Sequence, residues 1–104
     1  MRFLSYERPA QRLPAHVDAS KWDIQNASRG RTGRRSTHTF ILFLTGCARG
    51  GGTALLDAGD VGAGAPVAVV QPRRGRLLVF PHGCLHAGEA TVCVPKVLLR
   101  GELF

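Results

Sequence analysis

Short apolar runs, separated by glycine, proline and polar residues, divide this chain. The strongest run, Thr37–Thr45, reads Thr-His-Thr-Phe-Ile-Leu-Phe-Leu-Thr, and its β-branched and aromatic residues predict a strand. Because the middle of the run is apolar at every position, we expect this strand to be central and covered on both faces. No run has the spacing of an amphipathic helix, so the pattern favours an all-β fold with few or no helices.

The rest of the chain predicts further short strands, with turns between them that its thirteen glycines and six prolines support. These strands are Met1–Glu7, Gln11–Asp18, Gly50–Leu56, Pro66–Gln71, Arg76–Phe80 and Val92–Leu99. A chain of 104 residues is expected to form a single domain, residues 1–104, with one modest core. The connector at about residues 21–36 is rich in glycine and arginine, which predicts a flexible loop.

Two distant segments contain the candidate chemistry. In His16-Val17-Asp18, the first and third residues project from the same face of a strand and can reach one ion. His86 begins another predicted strand and would add a second imidazole. Two histidines and one carboxylate with open positions are typical of non-haem Fe(II) oxygenases.

A zinc site is the weaker alternative. His82 and Cys84 lie close to His86 along the chain and could contribute to one. Structural zinc usually has two ligand pairs at regular spacing, and the remote partner here would be the His16-x-Asp18 motif. His82 itself competes with His86 as the distal ligand, and we expect it to be a supporting or surface residue of the turn.

Lys96 interrupts the last apolar run. A buried cation is costly unless an anion meets it, so this lysine indicates an anion inside the fold. Arg100 lies four residues further and shares the same face of the strand. The pattern leaves open which of the two cations meets the anion.

These residues together resemble the iron(II)- and 2-oxoglutarate-dependent dioxygenases, and within them the prolyl 4-hydroxylase-like branch. The order is His16-x-Asp18, then His86, then Lys96 ten residues on. The resemblance covers nearly the whole chain. It extends to Tyr6 before the first motif, to Gly50-Gly51-Gly52-Thr53, which is similar to a Gly-Gly-Glu-Thr turn, and to Pro72–Phe80 before the distal histidine.

The resemblance implies a double-stranded β-helix, also called a jelly roll or cupin-like barrel. It implies that Fe(II) is held by His16, Asp18 and His86, with 2-oxoglutarate and dioxygen as cosubstrates and ascorbate as a further cofactor. The far carboxylate of 2-oxoglutarate would pair with a cation, and the residues implied there are Lys96, Tyr6, Thr53 and, as the alternative cation, Arg100. The implied reaction is hydroxylation of a C–H bond, with a prolyl residue of a peptide or protein as the best-known target.

The sequence departs from the family's pattern at three points. Gly52 replaces the acidic residue of the glycine-rich turn, and Pro95 precedes the lysine where the family has a small residue. Proline cannot donate a ladder hydrogen bond, so the last strand must begin there or lie at an edge. The chain also begins at the first matching strand, which predicts an N-terminally truncated member.

Composition adds expectations about compartment and partners. Three cysteines without a CxxC pair favour reduced thiols in an intracellular, cytoplasmic protein, and the sequence leaves a pairing of Cys84 with Cys93 open. No secretory signal is visible and no run approaches the ~20 apolar residues of a membrane helix, so we expect no membrane association. The net charge of +7 comes from dispersed basic residues, which favours a solvated surface over nucleic-acid binding. The alternative function is a catalytically inactive, basic β-barrel binding module.

Overall fold

The computed structural model describes residues 1–22, 34–57 and 67–104, and these residues form strands and turns without a helix. The strands are β1 (Arg2–Tyr6), β2 (Leu13–His16), β3 (His38–Phe43), β4 (Thr53–Leu55), β5 (Ala68–Val70), β6 (Leu77–Pro81), β7 (His86–Gly88) and β8 (Lys96–Leu103). The prediction of an all-β fold is confirmed.

The strands form two antiparallel sheets of four. The first sheet has the order β1-β8-β3-β6 and the second has the order β2-β7-β4-β5. Apart from the consecutive pair β4 and β5, neighbouring strands in each sheet are distant in sequence, as expected for a jelly roll rather than a meander of hairpins. Strand β2 is an edge strand, which explains how it accommodates Pro14 without breaking a ladder.

The core lies on the inner face of the first sheet. Its buried members are Ile41, Phe43, Phe80 and Leu98. Partly buried residues from both sheets pack against them, including Leu4, Tyr6, Val70, Leu78 and Cys84. Burial of this apolar surface is the main driving force that holds the sheets together.

Strand β3 is central in its sheet, as predicted, but it is not covered on both faces. Thr39, Ile41 and Phe43 are buried, whereas the alternate residues Phe40 and Leu42 are partly exposed. The run is apolar throughout because its outer residues contribute to a largely apolar outer sheet face, not because a second layer covers them. Continuous hydrophobicity therefore predicted the strand correctly and its surroundings wrongly.

The last strand also differs from its prediction. Strand β8 begins at Lys96 and runs to Leu103, so residues 92–95 lie outside it. Pro95 has no N–H to donate, and the strand begins directly after it. Asp18 similarly lies two residues beyond the end of β2, and not within the predicted metal-bearing strand.

The prediction of three reduced cysteines is wrong. Cys47 and Cys93 form a disulfide, while Cys84 is free. Cys47 follows β3 and Cys93 precedes β8, and these strands are antiparallel neighbours. The end of one strand and the start of the other therefore meet, which the separation of 46 residues along the chain conceals.

Most of the predicted flexible loop lies outside the described residues. At its base, Trp22 forms an isolated bridge with Arg35, and the amide of Lys21 donates a hydrogen bond to Ser36 Oγ. The single-domain organisation stays a prediction. In the described residues, no helix is long and apolar enough to cross a membrane.

Candidate metal and cosubstrate site

Strand pairing brings the two predicted ligand histidines together. Strand β2 pairs with β7 so that His16 lies directly opposite His86, with their ring centroids 4.3 Å apart. Asp18 follows closely, with Oδ1 at 3.3 Å from His16 Nε2 and Oδ2 at 3.7 Å from His86 Nε2. One ligand atom from each of the three residues lies within 4.8 Å of the others.

The hydrogen bonds of both imidazoles direct the same nitrogen towards Asp18. His16 Nδ1 is 2.9 Å from the carbonyl oxygen of Pro14, and His86 Nδ1 is 2.9 Å from that of Cys84. A carbonyl can only accept, so each Nδ1 carries a proton, and each Nε2 is the nitrogen that faces Asp18. Metal-ligating histidines are oriented in the same way, with one ring N–H donated to a protein acceptor and the other nitrogen directed to the metal.

Electrostatics favour the ligating form of His86 as well. Burial lowers the pKa of His86, and this outweighs the raising effects of the Cys84 carbonyl and the Asp18 carboxylate. A lowered pKa keeps the imidazole neutral at neutral pH, which metal binding requires.

Asp18 is held as a carboxylate. Burial raises its pKa, but the hydrogen bond from Thr39 and the charge of Arg100 outweigh this, so the pKa lies below its usual value. Thr39 Oγ1 donates to Oδ2 at 2.6 Å, and Arg100 Nη2 lies 2.8 Å from Oδ1. The side chain of Asp18 is only 6% exposed, so these partners are its main source of stabilisation.

A pocket between the sheets connects the triad with the predicted cosubstrate residues. The apolar part of its wall comes mainly from Leu4, Leu13, Ile41 and Leu98. The predicted site residues that line it are Tyr6, His16, Thr53, His86, Lys96 and Arg100. The seventh, Asp18, contacts His16, His86 and Arg100 directly.

Lys96 is a buried cation at the far end of this pocket. It is 6% exposed and lies opposite Tyr6 in the register of β1 and β8, with Nζ 5.0 Å from the phenol ring centroid. Burial lowers the pKa of Lys96, and attraction to Glu89 opposes this in part. Within the described part of the chain its ammonium has no ion pair or hydrogen bond.

Comparison with protein families decides the broad identity. The family model described as the 2OG-Fe(II) oxygenase superfamily matches residues 1–101. The chain belongs to the 2OG-Fe(II) oxygenase superfamily. Comparison with curated proteins and with solved structures gave no match.

Membership of the 2OG-Fe(II) oxygenases confirms the resemblance at the level of the superfamily. It implies Fe(2+), 2-oxoglutarate and dioxygen as metal and cosubstrates, and the group formed by His16, Asp18 and His86 supports a metal-binding oxygenase. The prolyl 4-hydroxylase-like branch and ascorbate stay predictions.

The structure separates the two candidate cations of this oxygenase. Arg100 lies against Asp18, and its Nη1 is 3.6 Å from Glu102 Oε1. Its charge is therefore already balanced by two carboxylates. Among the residues that the structure describes, Lys96 has no comparable carboxylate partner.

Sequence reasoning missed Thr39 and gave His82 only an undefined supporting or surface role. His82 is 6% exposed, and its Nδ1 lies 3.0 Å from Thr39 Oγ1. A signal was present, because Thr39 is a polar residue on the inward-facing side of the strongest predicted strand. The zinc alternative finds no support: among the described residues, no candidate metal group combines His82, Cys84 and His86.

Proposed function

We propose that this protein is an Fe(II)- and 2-oxoglutarate-dependent dioxygenase in which His16, Asp18 and His86 hold the iron. The donor set supports this, because two imidazoles and one carboxylate present their ligand atoms within 4.8 Å of one another. Iron bound there would supply the redox chemistry that couples dioxygen to a C–H bond. The chain's own residues orient the ligands and exclude water.

Lys96 is the residue that binds the far carboxylate of 2-oxoglutarate. The observation that supports this most strongly is a buried ammonium, unpaired among the described residues, in the pocket that also contains both histidines. Lysine suits the role because its apolar stem packs within the barrel while its compact charge reaches the ligand. Tyr6 and Thr53 line the same pocket and offer hydroxyl groups to the same carboxylate.

Arg100 has a different role in this proposal. Its guanidinium holds Asp18 Oδ1 at 2.8 Å, so it fixes the orientation and the charge of a metal ligand instead of binding cosubstrate. The apolar residues Leu4, Ile41 and Leu98 form the wall between the lysine and the histidines and limit the access of water to the site.

For the substrate we propose a C–H bond in a peptide or protein, with a prolyl residue as the first candidate. This part rests on the motif resemblance alone, since the fold accommodates many substrates. Ascorbate as a further cofactor rests on the same resemblance. Assays should therefore begin with proline-containing peptides and ascorbate.

The test of the core proposal is spectroscopic. Anaerobic addition of Fe(II) and 2-oxoglutarate should give a weak visible charge-transfer band, which His16→Ala should abolish. Lys96→Ala should require a higher 2-oxoglutarate concentration for the same band, while the control Lys21→Ala should leave the titration unchanged. A wild-type protein without the band, and without succinate formation in the presence of any peptide, would instead belong to the class of non-catalytic binding modules.

A further inference from the structure

A chain of hydrogen bonds behind the metal site ends on Asp18. The amide of Lys21 donates to Ser36 Oγ at 2.7 Å, and Ser36 Oγ lies 2.8 Å from His82 Nε2. His82 Nδ1 lies 3.0 Å from Thr39 Oγ1, which in turn is 2.6 Å from Asp18 Oδ2. The chain thus joins the base of the predicted loop to one carboxylate oxygen.

The direction of the hydrogen bonds next to Asp18 follows from the carboxylate. A carboxylate can only accept, so the Thr39 hydroxyl donates to Asp18 and its oxygen accepts from His82 Nδ1–H. A backbone amide can only donate, so Ser36 Oγ accepts from Lys21 and keeps a second lone pair and a proton for its contact with His82 Nε2. The ring of His82 therefore donates from Nδ1 to the hydroxyl that holds Asp18.

The connecting side chains are almost completely shielded from solvent. Thr39 is 0% exposed, Ser36 is 1% exposed and His82 is 6% exposed. Buried polar groups are costly unless each finds a partner, and here the hydroxyls and both ring nitrogens do. Water has little access to replace any member, so the loss of one member would leave its neighbours unpaired.

His82 also holds residue 18 through the main chain. Its carbonyl oxygen accepts a hydrogen bond from the Asp18 amide at 3.1 Å. The backbone of Asp18 is therefore fixed by the same residue whose ring, through Thr39, fixes the carboxylate. Arg100 holds the other carboxylate oxygen, so rotation of the carboxylate is restricted at both oxygens.

We propose that His82 and Ser36 are positioning residues for the metal carboxylate, acting through the Thr39 hydroxyl. They hold Asp18 in the orientation in which it shares a metal with His16 and His86. This inference rests on the proposed function, since it requires Asp18 to be a metal ligand. Residues that orient a ligand in this way typically change metal affinity by about 10- to 100-fold when they are replaced.

The experiment is a Co(II) titration of the purified full chain without oxygen, followed by the visible absorption of the bound ion. Thr39→Val removes the hydroxyl at nearly constant volume and should weaken Co(II) binding by about 10- to 100-fold. Thr39→Ser retains the hydroxyl and should bind within a few-fold of wild type. The control His38→Leu replaces a histidine that takes no part in this series of hydrogen bonds. It should leave the Co(II) affinity and the visible band unchanged.

Two variants at position 82 separate the links of the chain. His82→Leu removes both ring nitrogens and should weaken Co(II) binding like Thr39→Val. His82→Asn places an amide N–H where Nδ1–H lies, so it retains the bond to Thr39 and should recover most of the affinity. Recovery by asparagine and not by leucine is a result that a purely space-filling role would not give.

The outcomes distinguish the two proposals. If wild type binds Co(II) and the Thr39 and His82 variants bind it equally well, the positioning role is wrong and the proposed metal site stands. If wild type itself shows no Co(II) band, both are wrong. Melting of the metal-free proteins is measured in parallel, and should Thr39→Val fail to fold, the difference between His82→Leu and His82→Asn decides the question in the same titration.

Discussion

The two ends of the central pocket differ in how completely the protein satisfies its own charges. At the metal end, each oxygen of Asp18 has a partner, Arg100 on one side and Thr39 on the other. At the far end, Lys96 has an aromatic ring at 5.0 Å and, in the described part of the chain, no bonded anion. At the metal end the charge of Asp18 is partnered before any ligand binds, whereas at the far end the charge of Lys96 is not partnered by the described residues.

This difference indicates which end orients the reaction and which end selects a ligand. A metal ligand must be held in one geometry, so the protein supplies fixed partners. A cation that receives a carboxylate must leave its charge available, and the fold tolerates the cost of burying it. We therefore expect the buried charge of Lys96 to destabilise the fold until cosubstrate binds to it.

The largest effect is expected where the metal end is broken. Asp18→Asn retains the shape of the side chain but removes its charge, so Arg100 loses one of its two anionic partners. We expect loss of metal affinity beyond about 100-fold and a decrease of about 2 kcal/mol in the free energy of unfolding. Metal affinity is measured by calorimetric titration and stability by urea denaturation.

The matched control for that variant is Glu7→Gln, which removes an exposed carboxylate outside the pocket. It should alter neither quantity. Normal Co(II) binding by Asp18→Asn would show that residue 18 stabilises the arginine without ligating a metal, and the two ends of the pocket would then no longer differ in the way described.

The far end should respond in the opposite direction. Lys96→Met replaces a buried ammonium with an apolar side chain of similar length. We expect 2-oxoglutarate affinity to fall by about 100-fold, since a buried charged hydrogen bond is lost, while stability without ligand rises by about 1 kcal/mol. A filter-binding or fluorescence titration and a denaturation curve measure the two effects.

Lys21 is the only other lysine of the chain, and its side chain is 56% exposed, so Lys21→Met is the control. It should leave cosubstrate affinity unchanged. A Lys96→Met protein that is less stable than wild type would mean that the ammonium already has a stabilising role in the fold, and the far end would then be as complete as the metal end.

The sequence predicted one half of this comparison better than the other. Residue types and order were sufficient to select His16, Asp18 and His86 as candidate ligands, and the structure brings these three side chains together. The support behind Asp18 could not be predicted. Thr39 lies 21 residues from Asp18 along the chain, and only the pairing of β3 with β6 and β8 brings its hydroxyl to the metal site.

The same reason explains why the disulfide was not predicted and why the two candidate cations could not be distinguished from the sequence. The disulfide joins two turns whose proximity depends on the register of β3 and β8, and the spacing of the cysteines contains no such information. The choice between Lys96 and Arg100 likewise required knowing that Arg100 faces Asp18. The local sequence pattern predicts strands and candidate residues, whereas the contacts between side chains of different strands depend on how the strands pair.

The pH dependence of stability should also distinguish the two ends. The pKa of Lys96 is lowered by burial, so between that lowered value and the usual 10.5 the unfolded chain binds more protons than the folded one. The free energy of unfolding therefore gains a term that rises with pH across this window, by at most about 1.4 kcal/mol per unit. The contribution of Lys96 is measured by denaturing metal-free wild type and Lys96→Met at several pH values. Only wild type should show the increase in the free energy of unfolding with pH that comes from this lysine. Parallel curves would indicate a lysine with an ordinary pKa.

The smallest effect is expected from Glu89, the anion that most influences Lys96. Its Oε1 lies 2.8 Å from the point that a Cβ on Gly52 would occupy, so this carboxylate lies beside the glycine that replaces the family's acidic residue. Its attraction raises the pKa of Lys96 against the effect of burial, and the same attraction competes with an incoming carboxylate. Glu89 forms no ion pair with Lys96 among the described ion pairs, so we expect its influence to be no larger than that of a weak pair, about 1 kcal/mol or less. Glu89→Gln should therefore tighten 2-oxoglutarate binding only a few-fold near neutral pH. A titration of cosubstrate into wild type, Glu89→Gln and the control Glu7→Gln measures this effect.

Weaker binding by Glu89→Gln would mean that Glu89 holds the lysine in place for the cosubstrate instead of competing with it. The far end of the pocket would then be organised in advance, as the metal end is.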